Sequence, residues 1–153
     1  MKVTFYLTIA SVVFWMMSKK QLPRGIRNNN PGNIENNGIA WNGLSDTQTD
    51  SRFYQFNDAR YGIRAIARII KTYSSKYGLN TVRGIINRWA PPHENDTGAY
   101  VDHVAAVVGV DPDQLVDVHN ETVMTALVTT IIQHENGVQP YDQSLIQEGV
   151  MMA

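Results

Sequence analysis

A mainly α domain with a small β-hairpin patch near its start is the fold this chain predicts, and three observations carry the prediction. Apolar residues recur at spacings of three and four over residues 58–78, 81–90, 98–108 and 120–135. Each of these stretches opens on a capping residue: Asp58, Thr81, Thr97 and Asn120. Strand-like alternation is confined to Arg52–Phe56. With 153 residues the chain can form one domain around one core.

The first 20 residues are organised differently. The apolar run Val3–Met17 has 15 residues between lysines. As a helix it would be about 22 Å long, short of the roughly 20 residues that span a bilayer. No small-residue cleavage site follows Met17. An uncleaved membrane-anchor helix over 1–20 is the reading adopted. A cleaved signal and a buried helix of the main fold are the other two. The boundary near 18–24 leaves residues 21–153 as the domain.

Residues 21–57 are rich in turns. The NNNPGN cluster excludes a helix interior. Asn37-Gly38 and Asn42-Gly43 bracket Ile39-Ala40-Trp41, and RFYQF follows, so a hairpin or irregular β patch is expected. Asp58 then caps a helix that Gly78 ends, with Ile63, Ile66, Ile69, Ile70 and Tyr73 on one stripe. Gly62 there permits close packing. Arg60, Arg64 and Arg68 form a second face, either solvated or turned to an anionic partner. Thr81 caps a short helix with Val82, Ile85, Ile86 and Trp89 inward, and Pro91-Pro92 ends it.

After the polar loop HENDTG, Thr97 caps a helix over 98–108, with Tyr100, Val101, Val104, Val107 and Val108 toward the core. Asp111-Pro112 predicts a short helix, DPDQLVDV. Asn120 caps the most apolar helix, which ends at Glu135 before Gly137. Pro140 begins the last helix, with Leu145 and Ile146 inward.

Cysteine is absent, which excludes disulfides and thiolate metal sites. Charge is segregated: +8 from Lys19 to Arg88, and −10 from Ala90 onward, where all four histidines also lie. Such halves could attract each other across a cleft, present a basic face, or form ordinary solvated surfaces. The near-zero net charge of −1 argues against a nucleic-acid-binding protein. Asp111, Asp113 and Asp117 lack the spacing of a calcium loop, and no histidine pair has helical metal spacing with a third ligand. No P-loop, GxGxxG or GxSxG occurs. No metal and no cofactor are expected.

Chemistry concentrates in two places. Glu135 closes an apolar helix, where burial and the negative end of the helix dipole both oppose ionisation. A carboxyl so placed can remain protonated and act as a general acid near neutral pH. The plainer alternative is a partly exposed helix-end residue. In the loop Pro91–Tyr100, Glu94 and Asp96 are candidate second acids, and Asp96 or Thr97 as a mere helix cap is the alternative. Trp41, Phe53, Tyr54 and Phe56 either pack under the loop or include rings that line a sugar site.

RGIRNNNPGNI, RFYQFNDARYGIRAIARII, GLNTVRGIINRWAPPHENDTGAYVDHV and IIQHENG together resemble a group of bacteriophage proteins, virion structural or lysozyme-like, over roughly Arg24–Ala153. A more distant similarity is to the lytic transglycosylases of the lysozyme-like superfamily. FNDARYGIRAIARIIKTY is similar to their central helix, AYVDHV to their later Tyr-Val helix, and IIQHENGVQPY to the helix bearing the catalytic Glu. Here that helix comes toward the end of the chain rather than at its beginning, as in a circular permutation, and WAPP stands where the family has an Asn-Ala-Gly loop.

The resemblance implies a lysozyme-like fold and cleavage of peptidoglycan between N-acetylmuramic acid and N-acetylglucosamine. It makes Glu135 the catalytic acid, with Glu94 or Asp96 as second acid in a hydrolase. Trp41, Tyr54, Trp89, Tyr100 and His134 would be the sugar-binding residues. It places the protein in a virion, at an internal membrane or the capsid, or at the host inner membrane facing the periplasm. Residues 3–17 would hold the membrane, and other virion proteins would be neighbours. A non-enzymatic virion structural protein with the same fold is the alternative.

Overall fold

Six helices run through the described residues, 22–153, of the computed structural model. They are α1 (Arg24–Arg27), α2 (Ala59–Tyr77), α3 (Val82–Trp89), α4 (Thr97–Val108), α5 (Glu121–Asn136) and α6 (Gln143–Met151). The anchor expected over 1–20 lies outside the described residues. Among the described residues no helix is long and apolar enough to cross a membrane.

Local chemistry sets most helix ends. The Asp58 side chain accepts from Arg60 N, the Thr81 hydroxyl from Gly84 N and the Asn120 side chain from Val123 N. Gly78 and Gly137 close α2 and α5 at φ 66° and 69°, the left-handed conformation in which a Cβ is costly. Helix α4 starts one residue earlier than expected. Asp96 is its cap, while the Thr97 hydroxyl donates to Ala90 O at 2.8 Å. Helix α6 is capped by Asp142 and begins three residues after Pro140.

The centre of the molecule is α5, whose Met124, Leu127, Val128, Ile131 and Ile132 are all buried. Helices α4 and α6 pack on it, α2 packs on α6, and α3 on α4. Ile63, Ile66 and Ile70 of α2 and Val82, Ile85 and Ile86 of α3 complete the core, each fully buried. Of the valines expected inward on α4, Val101 and Val104 are buried, Val108 is partly so, and Val107 is 47% exposed. Helix α6 closes tightly on α2 because a Cβ on Gly149 would lie 2.5 Å from Ile63 Cγ2.

The arginine stripe of α2 is exposed at Arg60 and Arg68, yet all three side chains are engaged within the chain. Arg60 binds Asp58 and Glu148, Arg64 donates to Met152 O, and Arg68 donates to Ala153 O. The stripe clamps the acidic C-terminal segment, and Arg83–Asp113 at 2.7 Å is a second link between the two charge halves.

Of the two expectations for this region, hairpin or irregular β patch, the described residues form the irregular patch. Residues 34–56 form an irregular layer with two isolated antiparallel bridges, Glu35 to Phe53 and Leu44 to Phe56. The ladder fails because side chains take the backbone donors: Phe53 N goes to Asp50 Oδ1, and Gln55 N to Gln48 Oε1. The alternation within RFYQF does persist. Tyr54 and Phe56 point into a small cluster with Ala65, Trp41 and Tyr61. The short helix expected over DPDQLVDV is also absent. Asp111 Oδ1 accepts from Asp113 N in an Asx turn, and Leu115 bridges to Thr81.

Candidate active site

The last turn of α5 carries Glu135 to the floor of a cleft of about 420 Å3, whose lining includes Asn33, Glu35, Phe53, Trp89 and Glu94. Trp89, at the end of α3, donates from Nε1 to Glu135 Oε1 at 2.9 Å. Asn33 Nδ2 approaches Glu135 O at 3.3 Å and Oε2 at 3.4 Å. Burial pushes the Glu135 carboxyl above the ordinary carboxylate range, and the Trp89 and Asn33 hydrogen bonds only partly oppose it.

The loop bearing Asn33 is built from asparagines. Asn29 and Asn33 take positive φ, 51° and 48°, which this residue type tolerates better than most. Asn30, fully buried, donates from Nδ2 to Ile34 O and Tyr54 O and accepts from Ile34 N. Asn29 Nδ2 reaches Phe56 O, and Asn28 Nδ2 reaches Asp50. From the other side, Asn136 Nδ2 donates to Pro31 O at 2.8 Å, joining the loop to the residue beside Glu135. Beneath the loop, a Cβ on Gly62 of α2 would stand 2.1 Å from Asn29 O. The close packing expected at Gly62 is therefore the contact that seats the loop.

Asp50 anchors the far wall. Its carboxylate is 8% exposed and accepts from Arg24, Asn28 and the backbone of Arg52 and Phe53. The Arg24 guanidinium, more than any other partner, holds that carboxyl far below the usual range.

The candidate residues divide into two sets. Glu135, Trp89 and Glu94 come together at the cleft, with the Glu94 carboxylate 3.2 Å from His93 Nε2. Asp96 is engaged as the α4 cap, accepting from Ala99 N, and does not line the cleft. Tyr54 is 2% exposed, its hydroxyl donating to Asn37 Oδ1, and Trp41 packs in the same small cluster, so both support the loop from beneath.

Tyr100 is buried behind the site, stacked on His134 with ring centroids 3.9 Å apart. Burial, then the negative charge of Glu135, raise its phenol pKa. His134 turns to His103, with nitrogens 2.7 Å apart. Burial and His103 lower the His134 pKa. No group of three or more His, Cys, Asp or Glu among the described residues could hold a metal ion.

Asn33 and Glu35 escaped sequence reading, and Phe53 is the ring of the aromatic group Trp41, Phe53, Tyr54 and Phe56 that lines the cleft. Glu35 is held by Arg52 at 2.6 Å, and Phe53 lies under the guanidinium groups of Arg24 and Arg52, at 4.7 and 5.0 Å. RFYQF alternation separates Phe53 from the buried Tyr54 and Phe56. Asn33 and Glu35 carried no signal beyond following a Pro-Gly turn.

No protein-family model matches the chain. It is 42% identical over 129 residues to protein P5 of Pseudoalteromonas phage PM2, a match covering 82% of this chain and 79% of that protein. The identity extends through most of the helical domain, and on that ground the chain belongs to the family of this bacteriophage protein, protein P5 of phage PM2.

Proposed function

We propose that the chain is a lysozyme-like virion enzyme that cleaves the glycan strand of peptidoglycan between N-acetylmuramic acid and N-acetylglucosamine. The observation carrying this reading is Glu135, a half-buried carboxyl with a raised pKa at the floor of a cleft of about 420 Å3. Trp89 Nε1–H engages Oε1, leaving Oε2 to carry the acid proton. Glu135 gives that proton to the glycosidic oxygen as the C1–O bond breaks. The substrate's N-acetyl oxygen stabilises the cationic C1, so a transglycosylase needs no second acid.

Glu135, now a carboxylate, takes a proton from the muramoyl 6-hydroxyl as that oxygen closes on C1. In a hydrolase the same base acts on water, and Glu94 or Glu35 would be the opposing carboxylate. Asp96, engaged as a cap, is not a candidate in this scheme. Phe53 and Trp89 would supply the ring surfaces. Residues 3–17 would anchor the enzyme in a virion or host membrane, so that wall opening serves genome delivery or lysis.

Zymography on purified cell wall tests the reading. Wild type and Asp96→Asn should clear the gel, and Glu135→Gln should not. Equal clearing by Glu135→Gln would refute the assignment of the acid. No clearing by folded wild type would favour the non-enzymatic virion role.

A further inference from the structure

Beside the Glu135 cleft lies a second depression of about 690 Å3, lined by Tyr73, Leu79, Gly84, Asn87, Arg88 and Pro91. Tyr73 and Pro91 line both, so the two are adjacent and share a wall. The Arg88 guanidinium carbon sits 3.7 Å from the Tyr77 ring centroid and 5.2 Å from that of Tyr73. Seven other arginines occur among the described residues, and each donates to an oxygen of the chain. Arg24, Arg52, Arg60 and Arg83 bind carboxylates, and Arg27, Arg64 and Arg68 bind backbone carbonyls. Arg88 has no such oxygen partner among the described residues. Rings hold it instead.

We propose that this depression binds a carboxylate-bearing branch of the glycan strand, the peptide stem carried on the muramic lactyl group, with Arg88 as its ligand. The proposal rests on the reading of the Glu135 cleft as a glycan site. Ring stacking covers a face of the guanidinium and leaves its N–H edge free, and that planar edge matches a carboxylate in a bidentate pair. A neutral sugar has no group that calls for such a donor. Because the aromatic seat orients the fork in advance, little side-chain freedom is lost on binding. Asn87, exposed on the same rim, adds an amide for the stem's peptide groups.

The test is calorimetric binding by the full chain carrying Glu135→Gln, so that ligand is not consumed. The probes are soluble glycan fragments with intact stems and the same fragments stripped of stems by an amidase and then amidated at the lactyl carboxyl that the amidase frees. Stem-bearing fragments should bind about tenfold more tightly. Adding Arg88→Gln should erase that preference while leaving affinity for stripped fragments and the Tm unchanged, and Arg88→Lys should restore part of it. Equal binding of the two fragments with Arg88 present would overturn the stem site and leave the glycan reading standing. A preference that survives Arg88→Gln would place the stem elsewhere. Equal weakening of both fragments would make Arg88 a structural residue. Binding of neither fragment would remove the glycan reading as well.

Discussion

Replacing Gly62 by alanine is the sharpest test of how the site is seated. On helix propensity alone the change should stabilise α2 by about 1 kcal/mol. The structure reverses the sign. The new Cβ would stand 2.1 Å from Asn29 O and 2.8 Å from Pro31 Cδ. Nonbonded contacts settle near ~3.5 Å, so the 29–31 backbone must withdraw by roughly 1 Å. Overpacking costs ~1–3 kcal/mol, and against a pinned backbone carbonyl the upper part of that range, about 2–3 kcal/mol, applies. This loop has little slack, because Asn30 and Asn136 pin it on two sides.

With the propensity gain subtracted, the net loss is about 1–2 kcal/mol, a fall in Tm of roughly 3–6 °C for a domain of this size. The same displacement carries Asn33 away from Glu135, and a misplacement of about 1 Å can cost on the order of 100-fold in turnover. Gly98→Ala in α4 is the internal control. Nothing lies nearer than 4.0 Å to its Cβ, so a small gain of about 0.5 kcal/mol is expected. Urea denaturation and a turbidity assay on cell wall read both effects. Gly62→Ala as stable as wild type would refute the contact, and lost stability with intact clearing would separate the loop from the site.

Two further outcomes follow from the charges. The raised pKa of Glu135 means that the folded state holds its proton where the unfolded chain has released it, so this group's contribution to stability is lost as pH rises through the folded pKa. Glu135→Gln should therefore gain stability relative to wild type as the urea midpoint is followed from pH 5 to 8, and a flat difference would refute the burial argument. The depressed pKa of Asp50 has the opposite sign: its contribution is present above the ordinary value of 3.8 and is lost as pH falls. Asp50→Asn should cost about 1–3 kcal/mol at pH 7, moderated because Arg24 is 44% exposed. The gap should narrow in acid, and a pH-independent difference would show that the ion pair is not its source.

Helix positions were legible wherever a local signal existed. Asp58, Thr81 and Asn120 cap through atoms two or three residues away, and Gly78 and Gly137 end helices by their own backbone freedom. Where the deciding partner is distant, sequence reading left alternatives open or failed. Of hairpin and irregular patch, the patch formed because Asp50 and Gln48 capture donors that a ladder would use, and the 111–118 helix gave way to an Asx turn and a bridge to Thr81. The site shows the same division. Glu135 stood out because an acid at the end of an apolar helix is electrostatically awkward, while Trp89 read from its stripe as a core residue and joined the site only through the resemblance. The role of Asn33 depends on a contact across 102 residues of chain, and no spacing rule reports it.

The arginines show the same limit. Arg60, Arg64 and Arg68 read as one face from their period of four, but each reaches a partner within residues 148–153. What the sequence by itself determined is the mainly helical class, most helix limits and an acid that would resist ionisation. These follow from torsional preference, capping and burial of an apolar stripe, all set within a few residues. The tertiary structure decided which aromatic rings reach the cleft, that Asp96 caps a helix while Glu35 and Glu94 face Glu135's cleft, and that the basic stripe is internally engaged. Those outcomes depend on side-chain hydrogen bonds and ion pairs between segments far apart in sequence, where only the packed chain brings donor and acceptor within reach.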